Sequence, residues 1–261
     1  MASARKPAVA GLFYPDNPGE LHTMISDFLG AVRPGGAVPR AIIAPHAGYI
    51  YSGPVAASVY ARLRPARDVI RRVVLLGPAH RVGFQGLALS SAEKFVTPLG
   101  TIPVDQEAVA KIADLPQVHV LDQAHEQEHS LEVHLPFLQE VLDEFTLVPL
   151  VVGDAGPEEV GEVLERLWGG PETLVVISSD LSHYHPYAAA QKLDSATSQA
   201  IEALRYEDIG YDHACGRIPL SGLLYVARKR GMRAKTVDLR NSGDTAGSRD
   251  QVVGYGAYVI E

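Results

Sequence analysis

The sequence predicts an α/β protein in which a central, largely parallel or mixed sheet is flanked by helices. Two observations carry this expectation. Five apolar, largely β-branched runs recur without polar alternation, the pattern of strands covered on both faces. The segments between them repeat apolar residues every three or four positions, as amphipathic helices do. Strands alternating with helices along one chain build layered α/β architectures.

Taken in order, Leu21, Met24, Ile25, Phe28 and Leu29 mark a first helix over 19–32. The stretch AVRPGGAVPR (31–40) reads as a loop feeding the first core strand, AIIA (41–44). Nothing in the chain reads as an interdomain linker, so residues 1–261 are expected to form one domain. A helix over 54–63 leads to the strand VVLL (73–76), and another helix is expected over 105–114. Leu131, Leu135, Leu138 and Leu142 share one helical face before the strand LVPLVV (147–152). A helix over 157–168, the strand LVVIS (174–178) and helices over 188–204 and 218–230 follow. Pro219 suits the first turn of the last helix, where its missing N–H would have no partner anyway. VVGYGAYVI (252–260) closes the pattern.

Composition excludes several function classes. The net charge of -8 is spread without basic blocks, which argues against nucleic acid or an anionic membrane as the main partner. No apolar run reaches the length of about 18 residues that spans a bilayer. The start, MASARKPAVAGLFYP, has no apolar core of a secretory signal. The single cysteine, Cys215, excludes an intrachain disulfide and any multi-cysteine metal site. A cytoplasmic location is therefore expected.

The placement of the histidines is the informative feature. In RAIIAPHAGYIYSG an apolar strand stops at Pro45, which cannot donate to a ladder, and His46 follows. VVLLGPAHRV repeats the arrangement with His80, and LVVISSDLSHYH repeats it with His183. Open α/β sheets bind ligands at the carboxyl ends of their strands. Three imidazoles at one edge of one sheet point to a metal site, because neutral imidazole is the commonest metal ligand. In HEQEHSLEVHLPF, His125 and His129 stand four apart with Glu126 beside the first, which is the HExxH spacing. There His129 precedes a helix and is a cleft candidate, His134 is expected to pack, and Glu132 to lie on a solvated face. Asp180 either orients an imidazole or caps the next helix, the second being favoured. RNSGDTAGSRDQ is either a polar turn or the source of a third, anionic ligand, Asp244.

The motifs IIAPHAGYIYSG, LLGPAH, EHSLEVHLPF, ISSDLSHY, CGRIP and NSGD…VVGYGA together resemble the Memo family, in order and over nearly the whole chain. That family is similar in fold to the class III extradiol dioxygenases, which are ring-cleaving non-haem iron enzymes. The resemblance implies that His46 and His80 bind a metal and that His183, with His129, lines the cleft as acid/base. The dioxygenases complete their iron site with a glutamate near the C-terminus, and some Memo proteins have a cysteine there. The matching stretch here offers Asp244 and Thr245, while Cys215, in CGRIP, is expected to be a small buried residue.

Two functions are then in competition. One is a dioxygenase-type oxidoreductase using Fe(II), or else copper or zinc, on an unknown small molecule. The other is a non-catalytic peptide- or partner-binding protein that keeps a vestigial site. The resemblance also implies a pathway link to a radical-SAM protein. A metal-independent hydrolase ranks last, since no GxSxG elbow occurs and nothing activates Cys215.

Overall fold

The computed structural model describes residues 3–33 and 35–261. The strands are β1 (Ala4–Arg5), β2 (Ala41–Ala44), β3 (Arg72–Pro78), β4 (Leu87–Leu89), β5 (Lys94–Thr97) and β6 (Gly100–Pro103). They continue as β7 (Val118–Val120), β8 (Thr146–Val152), β9 (Thr173–Ser178), β10 (His183–His185), β11 (Ala234–Asn241) and β12 (Val252–Ile260). The helices are α1 (Pro18–Gly30), α2 (Tyr49–Tyr60), α3 (Gln106–Ala110), α4 (Asp122–Glu126), α5 (Leu135–Val141), α6 (Pro157–Leu167), α7 (Tyr187–Glu202) and α8 (Arg217–Lys229).

Among the described residues nine strands form the main sheet, in the order β10-β12-β2-β9-β3-β8-β4-β7, with β11 also paired to β12. Its centre is parallel: β2 pairs β9, β9 pairs β3, and β3 pairs β8. The flanks are antiparallel, β12 against β2 and β4 against β8. The sheet is therefore mixed, with helices on both faces. A smaller sheet of β1, β5 and β6 packs beside it.

Side-chain alternation explains why the central strands are apolar throughout. Ile42 and Ala44 of β2, and Val73 and Leu75 of β3, face the layer containing α1, α2 and α5. Ala41, Ile43, Val74 and Leu76 face the layer containing α6 and α8. With both faces covered, the buried positions of these strands are all apolar or glycine, and the one charged residue, Arg72, stands at the partly exposed start of β3.

The five expected core strands form at or within one or two residues of their expected bounds. The helix expected over 54–63 begins earlier, at Tyr49, and holds Pro54 in its interior. That over 105–114 shortens to Gln106–Ala110. The helix expected from Leu131 starts as a 3-10 turn over Glu132–His134 and becomes α5. Residues 31–40 form the expected loop at their described positions, and residue 34 lies outside the described residues. No helix among the described residues is long and apolar enough to cross a membrane.

Candidate metal centre

Because β2, β9 and β3 are adjacent and parallel, their carboxyl ends lie side by side. His46 lies two residues beyond β2 and His80 two beyond β3. Their rings meet edge to face, with centroids 5.1 Å apart. His129, from the loop before α5, stacks on His80 at 4.7 Å and stands 5.4 Å from His46. His183 follows β9 and forms the first residue of β10, which pairs with β12. Next to it Tyr184 adopts a left-handed backbone, φ 60°, and stands exposed over the cleft.

The orientation of the two strand-end imidazoles is fixed from behind. Ser178 Oγ donates its one proton to the carbonyl of Ser130 at 2.6 Å. It must therefore accept from His46 Nδ1, 2.6 Å away, which leaves Nε2 of His46 as the free lone pair. His80 is clamped by Glu128: Oε2 accepts its backbone N–H at 2.6 Å, and Oε1 accepts Nδ1–H at 2.8 Å. Burial opposes ionisation of Glu128, but the hydrogen bonds from His80 and from the Ser130 N–H outweigh it and hold its pKa at about 2. His80 thus also keeps Nε2 free. A carboxylate or hydroxyl behind each imidazole is the usual support of a metal-bound histidine.

The third atom of the group is sulfur. Cys215 Sγ lies 3.3 Å from His46 Nε2, and the ligand atoms of His46, His80 and Cys215 all fall within 4.8 Å of one another. Cys215, expected to be a small buried residue, thus stands within reach of both imidazoles. Gly216 makes the approach possible: a Cβ there would sit 2.4 Å from the Ser178 carbonyl oxygen. A second group, His80, Glu128 and His129, meets the same distance limit.

Asp244 is not brought to this centre. Its carboxylate accepts from the Tyr187 hydroxyl and from the Asn241 N–H at 3.1 Å, closing the 3-10 turn Ser242–Asp244 before β12. Its side chain is spent on the polar turn. Asp180 does not cap a helix, since α7 begins after Pro186. It accepts the His46 backbone N–H at 2.7 Å instead, and burial raises its pKa to about 7. Glu132 is buried, not solvated: it pairs with Arg5 and accepts from the N–H groups of Ala8 and Val9 and the hydroxyl of Tyr14. His134 packs as expected, its Nδ1 2.8 Å from the Tyr60 hydroxyl.

Burial favours the neutral form of His46, His129 and His183. It pushes His46 well below the usual histidine range, with the neighbouring His80 adding to the effect. His129 is lowered to about 4, again chiefly by burial, and His183 is lowered for the same reason. Burial raises the Cys215 thiol, with the Asp180 charge in the same direction. The donor set fits a borderline or soft first-row ion: two imidazoles with free Nε2 atoms and one thiol able to ionise on binding.

Two clefts reach the centre. One, of about 940 Å³, is lined by His80, His183, Cys215, Tyr211 and Arg217. The other, of about 670 Å³, is lined by His46, His129, His183 and the aromatic rings of Phe13, Tyr51 and Tyr184. His80 and His183 face both.

A mixed sheet with a histidine and cysteine cluster at its carboxyl edge, flanked by two clefts, defines an α/β protein with a candidate transition-metal centre. The model of the Memo-like protein family matches residues 5–259, and the chain belongs to that family. It is 38% identical over 263 residues to a MEMO1 family protein of Aquifex aeolicus, covering 96% of this chain and 97% of the relative. It is 37% identical to a MEMO1 family protein of Archaeoglobus fulgidus, covering 98% and 99%. Among solved structures it resembles the uncharacterized protein JW3007 of Escherichia coli with a TM-score of 0.50 at 15% identity, covering 82% of this chain and 98% of that one. That likeness concerns the fold.

Proposed function

We propose that the protein holds one transition-metal ion on His46, His80 and Cys215 and carries out a dioxygenase-type oxidation of a small molecule. The observation supporting this reading is the tautomer lock: the Nδ1–H groups of His46 and His80 are tied to Ser178 and Glu128, which leaves their Nε2 atoms free in a trio with Cys215 whose ligand atoms lie within 4.8 Å of one another. Fe(II) or copper on these donors would supply open positions for substrate and O2 and a path for electrons between them. Zinc suits the same donors and serves as a redox-silent probe.

His183 and His129 are the proton-handling groups of this reading. Both line the cleft, and both are neutral near pH 7, so each is able to accept a proton from a substrate hydroxyl. Nδ1 of His129 is buried without a hydrogen-bond partner among the described residues, 3.5 Å from Glu128 Oε1. A protonated His129 would find its counter-charge there.

The aromatic cleft supports a second reading, in which Phe13, Tyr51 and Tyr184 grip a peptide and no oxidation occurs. Oxygen uptake by Fe(II)-loaded protein with a panel of catechols separates the two. Uptake that is lost in His46→Ala and His183→Ala supports the oxidoreductase. Full metal loading without uptake, combined with peptide binding, favours the partner-binding protein.

A further inference from the structure

The motif CGRIP (215–219) has one charged residue that the metal centre does not use. Cys215 aims sulfur at His46 and Gly216 allows the close approach, but Arg217, the first residue of α8, lines the larger cleft beside them. Its guanidinium lies over the Tyr211 ring at 3.9 Å from the centroid. Among the described residues it has no carboxylate within 4.0 Å. Other surface arginines are paired: Arg205 holds Asp208 and Arg228 holds Glu207, each at 2.7 Å. Tyr211 itself is 81% exposed.

Besides Tyr211 and Cys215, the other charged and titratable groups facing this cleft are His80, His183, His185, Asp154 and Asp212. Asp154 accepts from Gln85 Nε2 at 3.1 Å, and neither aspartate pairs with Arg217. Val82, Phe84 and Ile218 supply apolar lining to the same cleft. A planar cation held on an aromatic ring, without its own counter-ion and next to apolar surface, is suited to forked binding of an oxyanion.

We propose that the Cys215-side cleft binds a small organic anion, its charged group on Arg217 and its apolar body against Val82, Phe84 and Ile218, directed at the metal centre. The orientation toward the centre rests on the metal-site reading above, whereas the anion contact does not. The test is an amide NMR titration of the full chain with benzoate, phenyl phosphate and the neutral control benzyl alcohol. It is run on metal-free and zinc-loaded protein, so a failure of the metal assignment leaves the metal-free arm intact.

The proposal predicts saturable shifts in residues 80–85 and 211–218 with one or both anions, the tighter of the two identifying the headgroup. Arg217→Gln raises the dissociation constant at least about tenfold and Arg217→Lys raises it less, because lysine keeps the charge without the fork. Benzyl alcohol binds no better to wild type than the anions bind to Arg217→Gln. Anion affinity unchanged in Arg217→Gln, or shifts confined to other regions of a folded protein, overturns it.

Discussion

Nε2 of His46 and Sγ of Cys215 lie 3.3 Å apart although 169 residues separate them in the chain. The contact joins the carboxyl end of a central strand to the residue two before α8. It makes a cysteine, in place of a C-terminal carboxylate, the third member of the candidate centre.

Zinc affinity measured by calorimetry tests which residues hold the ion. His46→Ala, His80→Ala and Cys215→Ser each weaken binding by more than the roughly 10–100-fold typical of outer-shell changes. Asp244→Asn leaves affinity within about twofold, because its carboxylate is engaged with Tyr187 and Asn241.

Glu128 is a positioning residue. In Glu128→Gln the His80 ring loses the charged partner that fixes its Nδ1–H, and metal affinity falls by roughly 10–100-fold with the ligands intact. Retained affinity in a folded variant contradicts this role.

The titration states predict the proton count on metal binding. Burial keeps the thiol of Cys215 protonated and His46 neutral. At pH 8, where an ordinary imidazole is neutral too, binding releases about one proton, from the thiol. Calorimetry in buffers of different ionisation enthalpy measures this. Cys215→Ser should release none.

Stability should fall in mild acid. His125 and His129 titrate at about 4 and His134 at about 3 in the folded protein, all lowered chiefly by burial. Their unfolded value is about 6.5, so below it the unfolded chain binds more protons. Each group then subtracts about 1.4 kcal/mol per pH unit as pH drops from 6.5 toward its folded value. Asp180, raised to about 7 by burial, acts in the opposite sense over the range from 7 down to the usual carboxylate value. The three histidines outnumber it, so urea unfolding at pH 7.5 and pH 5 should show a net loss. His134→Gln should reduce that loss.

Glu132 anchors the N-terminal segment through Arg5, Ala8, Val9 and Tyr14. Glu132→Ala leaves the buried Arg5 without its counter-charge and should cost about 3–5 kcal/mol in denaturant unfolding.

Much of this architecture was legible in the sequence, for a physical reason. Strands buried on both faces, such as AIIA and VVLL, are continuous apolar runs, and proline or glycine marks their ends. The histidines beyond those ends could be placed because parallel pairing brings strand ends together. β11 was missed because it is only partly buried and carries Lys235, Asp238 and Arg240. Its partner β12 secures it instead of an apolar face. The proximity of Cys215 to His46 was not legible, because the cysteine approaches from the start of a helix, outside the strand-end pattern. The signal available was the glycine after it, which only close packing requires. Asp244 was attractive as a carboxylate among turn formers, and its carboxylate is engaged by the turn and by Tyr187.

The most direct test of the central claim is a Co(II) titration followed by absorption, in which thiolate ligation gives a sulfur-to-cobalt charge-transfer band in the near ultraviolet. The His46–His80–Cys215 assignment predicts that this band saturates at one equivalent in wild type. It should persist in Asp244→Asn and vanish in Cys215→Ser. A site that binds Co(II) without the band, or that depends on Asp244 and not on Cys215, would contradict it.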